Sequence, residues 1–349
     1  MSTPLVQGLP LHTRSLTVSV RPLADGRWMA RGDVIDLRKN GFVPSSYDVQ
    51  PSGIIHSMNI ELDLDPETLR METIRVEQPF VAVEPSVASR GECCRDPAPR
   101  LLDLTGECLD DEFAKKLSMN FGGPLGCSHL LTLFQLMSSA VPHAAQIERA
   151  RIAREGTEHA KDDRFFRRSV FVDGFEASDE ITDVSVQLAD TATRPFSPES
   201  NSFARLELSH EVKTFASVGR KTFGMDRLDI RERIRTAETL IDAEWVDRSE
   251  PFTSLKEKPI VPGLAGRVFK LAGDTPDLQV IKDNLLMFAP GYLQVIAAQM
   301  EPYFADQIRA AREGGEEMPS SNSLGGNTGA CYMWRENGPI EKTGMRVTK

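Results

Sequence analysis

The stretch Asn120-Phe-Gly-Gly-Pro-Leu-Gly-Cys-Ser-His-Leu130 places a cysteine and a histidine two residues apart, between a glycine-rich turn and an amphipathic run. A turn feeding a helix sets Cys127 and His129 among unpaired amides at the positive end of the helix dipole. That end favours a thiolate and a neutral imidazole, the forms a nucleophile, a base or a metal ligand needs. The same letters also suit a tight connection in which Cys127 packs as a small hydrophobe and Ser128 caps the helix. A Cys-x-His pair is at most half a metal site, because a tetrahedral ion needs further ligands from elsewhere in the fold.

His56, in Gly53-Ile-Ile-His-Ser-Met58 at the start of a strand, and the adjacent Cys93 and Cys94 are candidates to complete it. His12, His143, His159 and His210 lie in polar or terminal settings and read as surface histidines. Asp33 and Asp36, three apart in a strand, point to opposite faces and cannot act as a pair. Asp36 suits a base or an orienting carboxylate, or a cap on the strand-end turn. Arg14 and Arg168 are the residues to hold such carboxylates or to bind the carboxylate of a substrate. No G-x-G-x-x-G follows a strand, and the chain has neither a P-loop nor a G-x-S-x-G elbow. Nucleotide cofactors are therefore not expected, which leaves either no cofactor or a single metal ion. The chemistry favoured is acid/base, with or without that metal, in a lyase, hydrolase or isomerase.

Positioning these residues falls first to strands. Leu16–Val20 and Arg27–Leu37 alternate apolar and polar residues around Ala24-Asp25-Gly26, the signature of a hairpin. Ile54–Asp65 alternates again, and a strand near Met71–Val76 follows. The period then changes to helical. Asp110–Leu117 forms a short helix, and Ser128–Ser139 puts Leu130, Leu133, Phe134 and Met137 on one face. Pro142 is expected to interrupt that helix, with a second, charged helix from His143 to Glu155 bridging onward. Strands around Val170–Phe175, Ile181–Leu188 and Phe203–Ser209 and a helical stretch from Leu278 to Arg312 restate the plan. Ser320–Gly329 reads as a linker to Ala330–Arg335, whose Tyr332, Met333 and Trp334 suit docking on the body.

Thr13–Phe42 aligns without gaps to Arg167–Phe196 at an offset of 154, with six identities that include Arg14/Arg168 and Asp36/Asp190. Further anchors pair Ile60–Leu62 with Leu206–Leu208, Leu104–Gly106 with Leu264–Gly266, and His129 with Tyr292, which makes Tyr292 a substrate-contacting candidate. The expected fold is α+β: two diverged copies of an antiparallel sheet followed by helices. The layout is a leader over 1–12, a first copy over 13–155, a degenerate second copy over 156–313 and a linker with docking tail over 314–349.

A formal charge of −10 and a pI near 5.3 disfavour nucleic acid and anionic lipid, which are held by clustered Lys and Arg. The basic group Arg164, Arg167 and Arg168 is diluted by Asp162 and Asp163 and reads as solvated surface. Met1–Leu11 lacks a secretory pattern, and the apolar stretch Leu130–Met137 falls far short of the ~20 residues that cross a bilayer. A cytoplasmic protein with reduced thiols and no membrane partner is expected, a homodimer being allowed.

The first copy resembles a bacterial family known only as domain-of-unknown-function family 2889. The resemblance rests on Arg14, Asp25-Gly26-Arg-Trp28, Gly32-Asp33-Val-Ile-Asp36, His56-Ser-Met58, Leu62-Asp-Leu-Asp65 and Gly126-Cys-Ser-His-Leu130, over Leu11–Ala145. It implies that His56, Cys127 and His129 matter, and relatives among degraders of aromatic compounds imply a catabolic role. The leading expectation is a lyase-type catabolic enzyme for a hydrophobic, aromatic small molecule, with His129 or His56 moving a proton, Cys127 assisting or joining His129 on a metal, and an arginine holding substrate. The alternatives are a metal or iron–sulfur handling protein using Cys127, His129 and Cys93 or Cys94, and a small-molecule binding module with its pocket between the copies.

Overall fold

The computed structural model describes residues 8–45, 48–199, 201–273, 275–299, 301, 309, 313 and 328–340. Strand β1 (Leu9–Pro22) turns at Ala24-Asp25-Gly26 into β2 (Trp28–Arg38), as the alternation predicts. A small hairpin of β3 (Val43–Ser45) and β4 (Asp48–Gln50) intervenes before β5 (Gly53–Leu64) and β6 (Met71–Phe80). Helices α1 (Phe113–Phe121) and α2 (Ser128–Glu155) close the first half. The second half runs β7 (Phe166–Glu176), β8 (Ile181–Thr193), β9 (Leu206–Gly219), β10 (Met225–Arg235) and β11 (Val246–Asp247). Helices α3 (Leu264–Ala272), α4 (Gln279–Leu286) and α5 (Phe288–Ala298) follow. The sequence pattern misses β10, where the inward set Leu228 and Ile230 is followed by the buried Glu232 rather than by a further apolar residue.

Apart from the β3–β4 hairpin, all strands join one antiparallel nine-stranded sheet in the order β11-β10-β9-β8-β7-β1-β2-β5-β6. One face carries the apolar set, including Leu16, Val18, Ala30, Val34, Ile60, Leu62, Val170, Val172 and Val186, all buried. The helices cover that face. Helix α2 lays Leu130, Leu133, Phe134 and Met137 over β1, β2 and β5, each such side chain contributing roughly 1.5–3 kcal/mol by leaving water. Helix α5 crosses the β1–β7 seam so closely that a Cβ on Gly291 would lie 2.5 Å from Val172 Cγ1. Helix α4 lies over β8 and β9. The opposite face is polar, with Arg31 bonding both Asp33 and Glu61 and Arg75 bonding Asp63.

The break expected at Pro142 does not occur: α2 continues through it to Glu155. Losing one amide donor is outweighed by the unbroken apolar stripe on either side, Leu136, Met137, Ala140, Val141, Ala144 and Ala145 all being buried.

The register carries a repeated row of side chains. Arg14 on β1 faces Asp36 on β2, which faces His56 on β5; Arg168 on β7 faces Asp190 on β8, which faces His210 on β9. Each member lies 154 residues after its counterpart (168−14, 190−36, 210−56). The pairing of Ile60–Leu62 with Leu206–Leu208 at offset 146 is therefore out of register. So is that of His129 with Tyr292, because the residue standing over Arg168 and Asp190 is Asp283, 154 after His129.

Candidate active site

The Arg14–Asp36–His56 row sits on the covered face of the sheet, beneath the start of α2 and the middle of α5. Two register shifts flank it. The β1–β7 pairing skips Leu11 and the β2–β5 pairing skips Ile55, and each bulge re-aims the residue after it, His12 and His56, towards Asp36. From above, Gly126 and Cys127 bring His129 down on the second residue of α2. Gly126 lies against Phe121 so tightly that a Cβ would meet the Phe121 carbonyl at 2.1 Å, which requires glycine in this turn.

Asp36 is wholly enclosed and collects every polar group around it. Arg14 forks onto it through Nε to Oδ1 (2.9 Å) and Nη2 to Oδ2 (3.0 Å), and His12 Nε2 lies 2.8 Å from Oδ1. His129 Nε2 stands 3.2 Å from Oδ2, and His56 Nδ1 stands 3.7 Å from the same oxygen. The rings of His56 and His129 face each other at 3.7 Å between centroids. Arg14 Nη1 also donates to the Pro290 carbonyl of α5, and Gln294 Nε2 reaches within 3.4 Å of His129 Nε2. His56 Nδ1 is buried without any hydrogen-bond partner.

Burial alone would raise the Asp36 carboxyl. The Arg14 charge and the hydrogen bonds from His12 and His129 overcome it and hold the group well below the ordinary carboxylate range. Burial lowers His12 and His129 against the pull of Asp36, and lowers His56 further still, with His129 adding to the effect. At neutral pH the centre holds one ionised carboxylate, one guanidinium and three neutral imidazoles.

A thiolate at Cys127 is not what forms. The Leu130 and His129 amides do pull its pKa down, as a helix start should, but burial dominates and pushes the thiol up to about 12. Cys127 Sγ lies 3.8 Å from His129 Nδ1 and 3.9 Å from Met58 Sδ. Cys94 is raised by burial and then by Cys127, Cys331 and Cys93, so these four thiols share one neighbourhood. Tyr332 N donates to the Gly126 carbonyl (2.8 Å), Arg335 pairs with Glu92, and Met333 is buried, so this part of the tail lies on the turn before α2. All five cysteines are free.

The candidates His129, His56, Asp36, Cys127 and Arg14 come together; Arg168 and Tyr292 do not join them. Arg168 is fully buried and paired with Asp190 (2.7 Å) and Asp283 (2.5 Å), so it belongs neither to a solvated patch nor to a free anion site. Tyr292 is buried on α5 with its ring against Phe223 and its hydroxyl unbonded. None of the four supposed surface histidines is exposed. His12 is on Asp36, His159 bonds Asp163 and the Thr193 carbonyl, His210 bonds Glu232, and His143 Nε2 lies 3.6 Å from Asp190. Strand β1 begins at Leu9, earlier than the alternation suggests, and this start puts His12 level with Arg14 on the covered face.

Arg38 escaped notice altogether. Two residues beyond Asp36 on β2 and 2% exposed, it donates Nη1 to the Gln50 carbonyl (2.9 Å) while its Nε is buried and unbonded. Burial lowers it to about 10. Its even spacing from Asp36 was the available signal. A surface concavity lined by Glu232, Thr239, Asp242, Glu244 and Arg248 lies at the far, β10–β11 edge and contains none of these residues.

Residues 12–142 match the model of a family described as a protein of unknown function (DUF2889). The resemblance read from Leu11–Ala145 is thereby borne out, and the matched span holds every member of the centre from His12 to His129. No curated protein and no solved structure gives a significant match to the chain. No helix among the described residues is long and apolar enough to cross a membrane.

Proposed function

We propose that the chain is a metal-assisted acid/base enzyme of the lyase type, acting on a small molecule, with one centre built on Asp36, His56 and His129. The observation that carries this reading is His56 Nδ1, a buried ring nitrogen with no hydrogen-bond partner, turned on the same Asp36 oxygen as His129 Nε2. A buried polar atom left unpaired costs free energy, and a metal ion shared with the other two would satisfy it. The three donor atoms lie within 4.8 Å of one another, and two imidazoles with one carboxylate suit Zn²⁺, Fe²⁺ or Mn²⁺. Ligands about 2.1 Å from one ion stand roughly 3.0–3.4 Å apart, so the donors need only draw in slightly.

The other residues fit the support such a centre requires. Arg14 fixes the carboxylate by both oxygens, and with His129 coordinated through Nε2 its Nδ1–H points at Cys127 Sγ, which locks the tautomer. A bound ion would lower the pKa of a water or polarise a substrate oxygen, the chemistry a lyase or hydrolase uses. His12, held on Asp36, is placed to move a proton. We infer further that the halves are diverged copies of one unit. In the second, Asp283 stands in place of His129 and closes onto Arg168, and among the described residues it leaves no open donor set there, which supports a single site in the first.

A second reading has its own observation: Cys94 and Cys331 lie near Cys127, which itself touches His129, as a thiolate-based metal-handling protein would need. Metal analysis of purified wild type, His56→Ala, His129→Ala and Cys127→Ser separates the two. Stoichiometric metal lost with either histidine and kept in Cys127→Ser supports the Asp36 centre. Metal lost only with the cysteine supports handling, and a wild type that takes up no added metal overturns both.

A further inference from the structure

Arg14 and Arg168 both pair directly with internal carboxylates, whereas Arg38 feels Asp36 only from beyond ion-pair distance. Among the described residues no carboxylate ion-pairs with it, although it is 2% exposed; only the Gln50 carbonyl accepts from it. A buried guanidinium without a paired counter-charge is expensive to keep, and a ligand carboxylate would supply one. Its cross-strand neighbour is His12. The Arg14 fork keeps Asp36 ionised and so acceptor-only, which assigns the His12 Nε2 proton to the bond with Asp36. His12 Nδ1 is left as a buried acceptor with nothing to accept from. The site thus presents an unpaired cation and, beside it, an unpaired acceptor, on the same face of the strands as Asp36 and His56.

We propose that Arg38 and His12 form the substrate subsite of this centre, Arg38 taking the carboxylate and His12 Nδ1 the hydroxyl of a small hydroxycarboxylic acid. This deepens the metal-assisted reading and rests on it for the reaction, though not for the binding. Residues 36 and 38 line one face of β2 about 7 Å apart, so a ligand anchored on Arg38 extends its carbon chain towards His56 and His129. A free inorganic oxyanion satisfies Arg38 but not His12, and a simple carboxylate likewise leaves His12 unpaired.

The test uses the full chain as wild type, Arg38→Met, Arg38→Lys and His56→Ala, with lactate, propionate and inorganic phosphate as probes. Binding is read by calorimetry and melting temperature, and metal content is measured on the same samples. Lactate should bind the wild type more tightly than propionate or phosphate, Arg38→Met should weaken it about tenfold or more, and Arg38→Lys should fall between. Without ligand, Arg38→Met should melt higher than the wild type, because it removes an unpaired buried charge; a purely structural arginine would make it melt lower. His56→Ala should lose bound metal, which is read on the same samples. Lactate binding that persists with no metal in any sample sinks the metal centre and leaves the subsite standing. No lactate binding to the wild type, equal binding by Arg38→Met, or phosphate binding as tightly as lactate overturns the subsite.

Discussion

His56 and His129 stand ring against ring, their planes 32° from parallel and both directed at Oδ2 of Asp36. Protonating one raises the cost of protonating the other, so in the absence of metal the pair resists acid as a unit until the structure gives way.

A pH dependence of stability follows. The folded-state pKa values of His12, His56, His129 and His143 are all lowered, so below about pH 6.5 the unfolded chain binds more protons than the folded one. Each such proton makes stability fall by about 1.4 kcal/mol per pH unit as pH drops through that window. Asp36, also lowered, adds its loss only below about pH 4, where the unfolded carboxyl protonates. Denaturant melts of metal-free protein should show a clear loss between pH 7 and 5. Equal midpoints at those two values would mean that the imidazoles are not held neutral.

Removing the carboxylate should separate the two halves. Asp36→Asn leaves Arg14 buried without any counter-ion and should destabilise by about 3–5 kcal/mol. Asp190→Asn leaves Arg168 its second partner, Asp283, and should cost clearly less. Adding Arg14→Met to Asp36→Asn should recover part of the loss. Equilibrium unfolding of the three variants decides this, and equal costs for the two Asp→Asn changes would remove the claimed asymmetry.

The seam offers a packing test. Gly291→Ala drives a Cβ into Val172 and should lower stability by about 1–3 kcal/mol, and shaving the neighbour in Gly291→Ala/Val172→Ala should relieve the clash while opening a cavity elsewhere. A neutral single change, measured by thermal melting, would place α5 further from β7 than 2.5 Å implies.

Thiol labelling tests the protonated Cys127. A buried thiol raised to about 12 should react with iodoacetamide at pH 7.5 far more slowly than Cys108, which is partly exposed. Peptide mass spectrometry over a time course reads the order, and Cys127 labelling first would restore the thiolate.

Alternation made the strands around Asp36 legible, because each has one buried face and one wet one; β10, where Glu232 takes an inward position after Leu228 and Ile230, hid the same period. Asp36, His56 and His129 were legible as residue types, and the odd spacing of Asp33 and Asp36 told their faces apart. His12 and Arg38 were not. Near the ends of β1 and β2 charged letters read as loop; β1 starting at Leu9 and β2 running on to Arg38 bring His12 and Arg38 into register on the face of Arg14 and Asp36. The thiolate expectation failed for a different reason: a helix dipole is a local property that sequence displays, whereas burial depends on parts distant in sequence, Met58 on β5 against Cys127 and Tyr332 of the tail on Gly126.

The antiparallel contact of β1 with β7 ties residue 16 to residue 170 across the middle of the sheet. During synthesis β1, β2, β5 and β6 can assemble with α2 before β7 exists, yet until then the outer side of β1 is a bare rim of amides and carbonyls. A fragment ending near residue 142, the span the family shares, would carry that rim permanently. Such a fragment would offer an unpaired edge to strands of its own kind, an edge that β7 covers in the full chain.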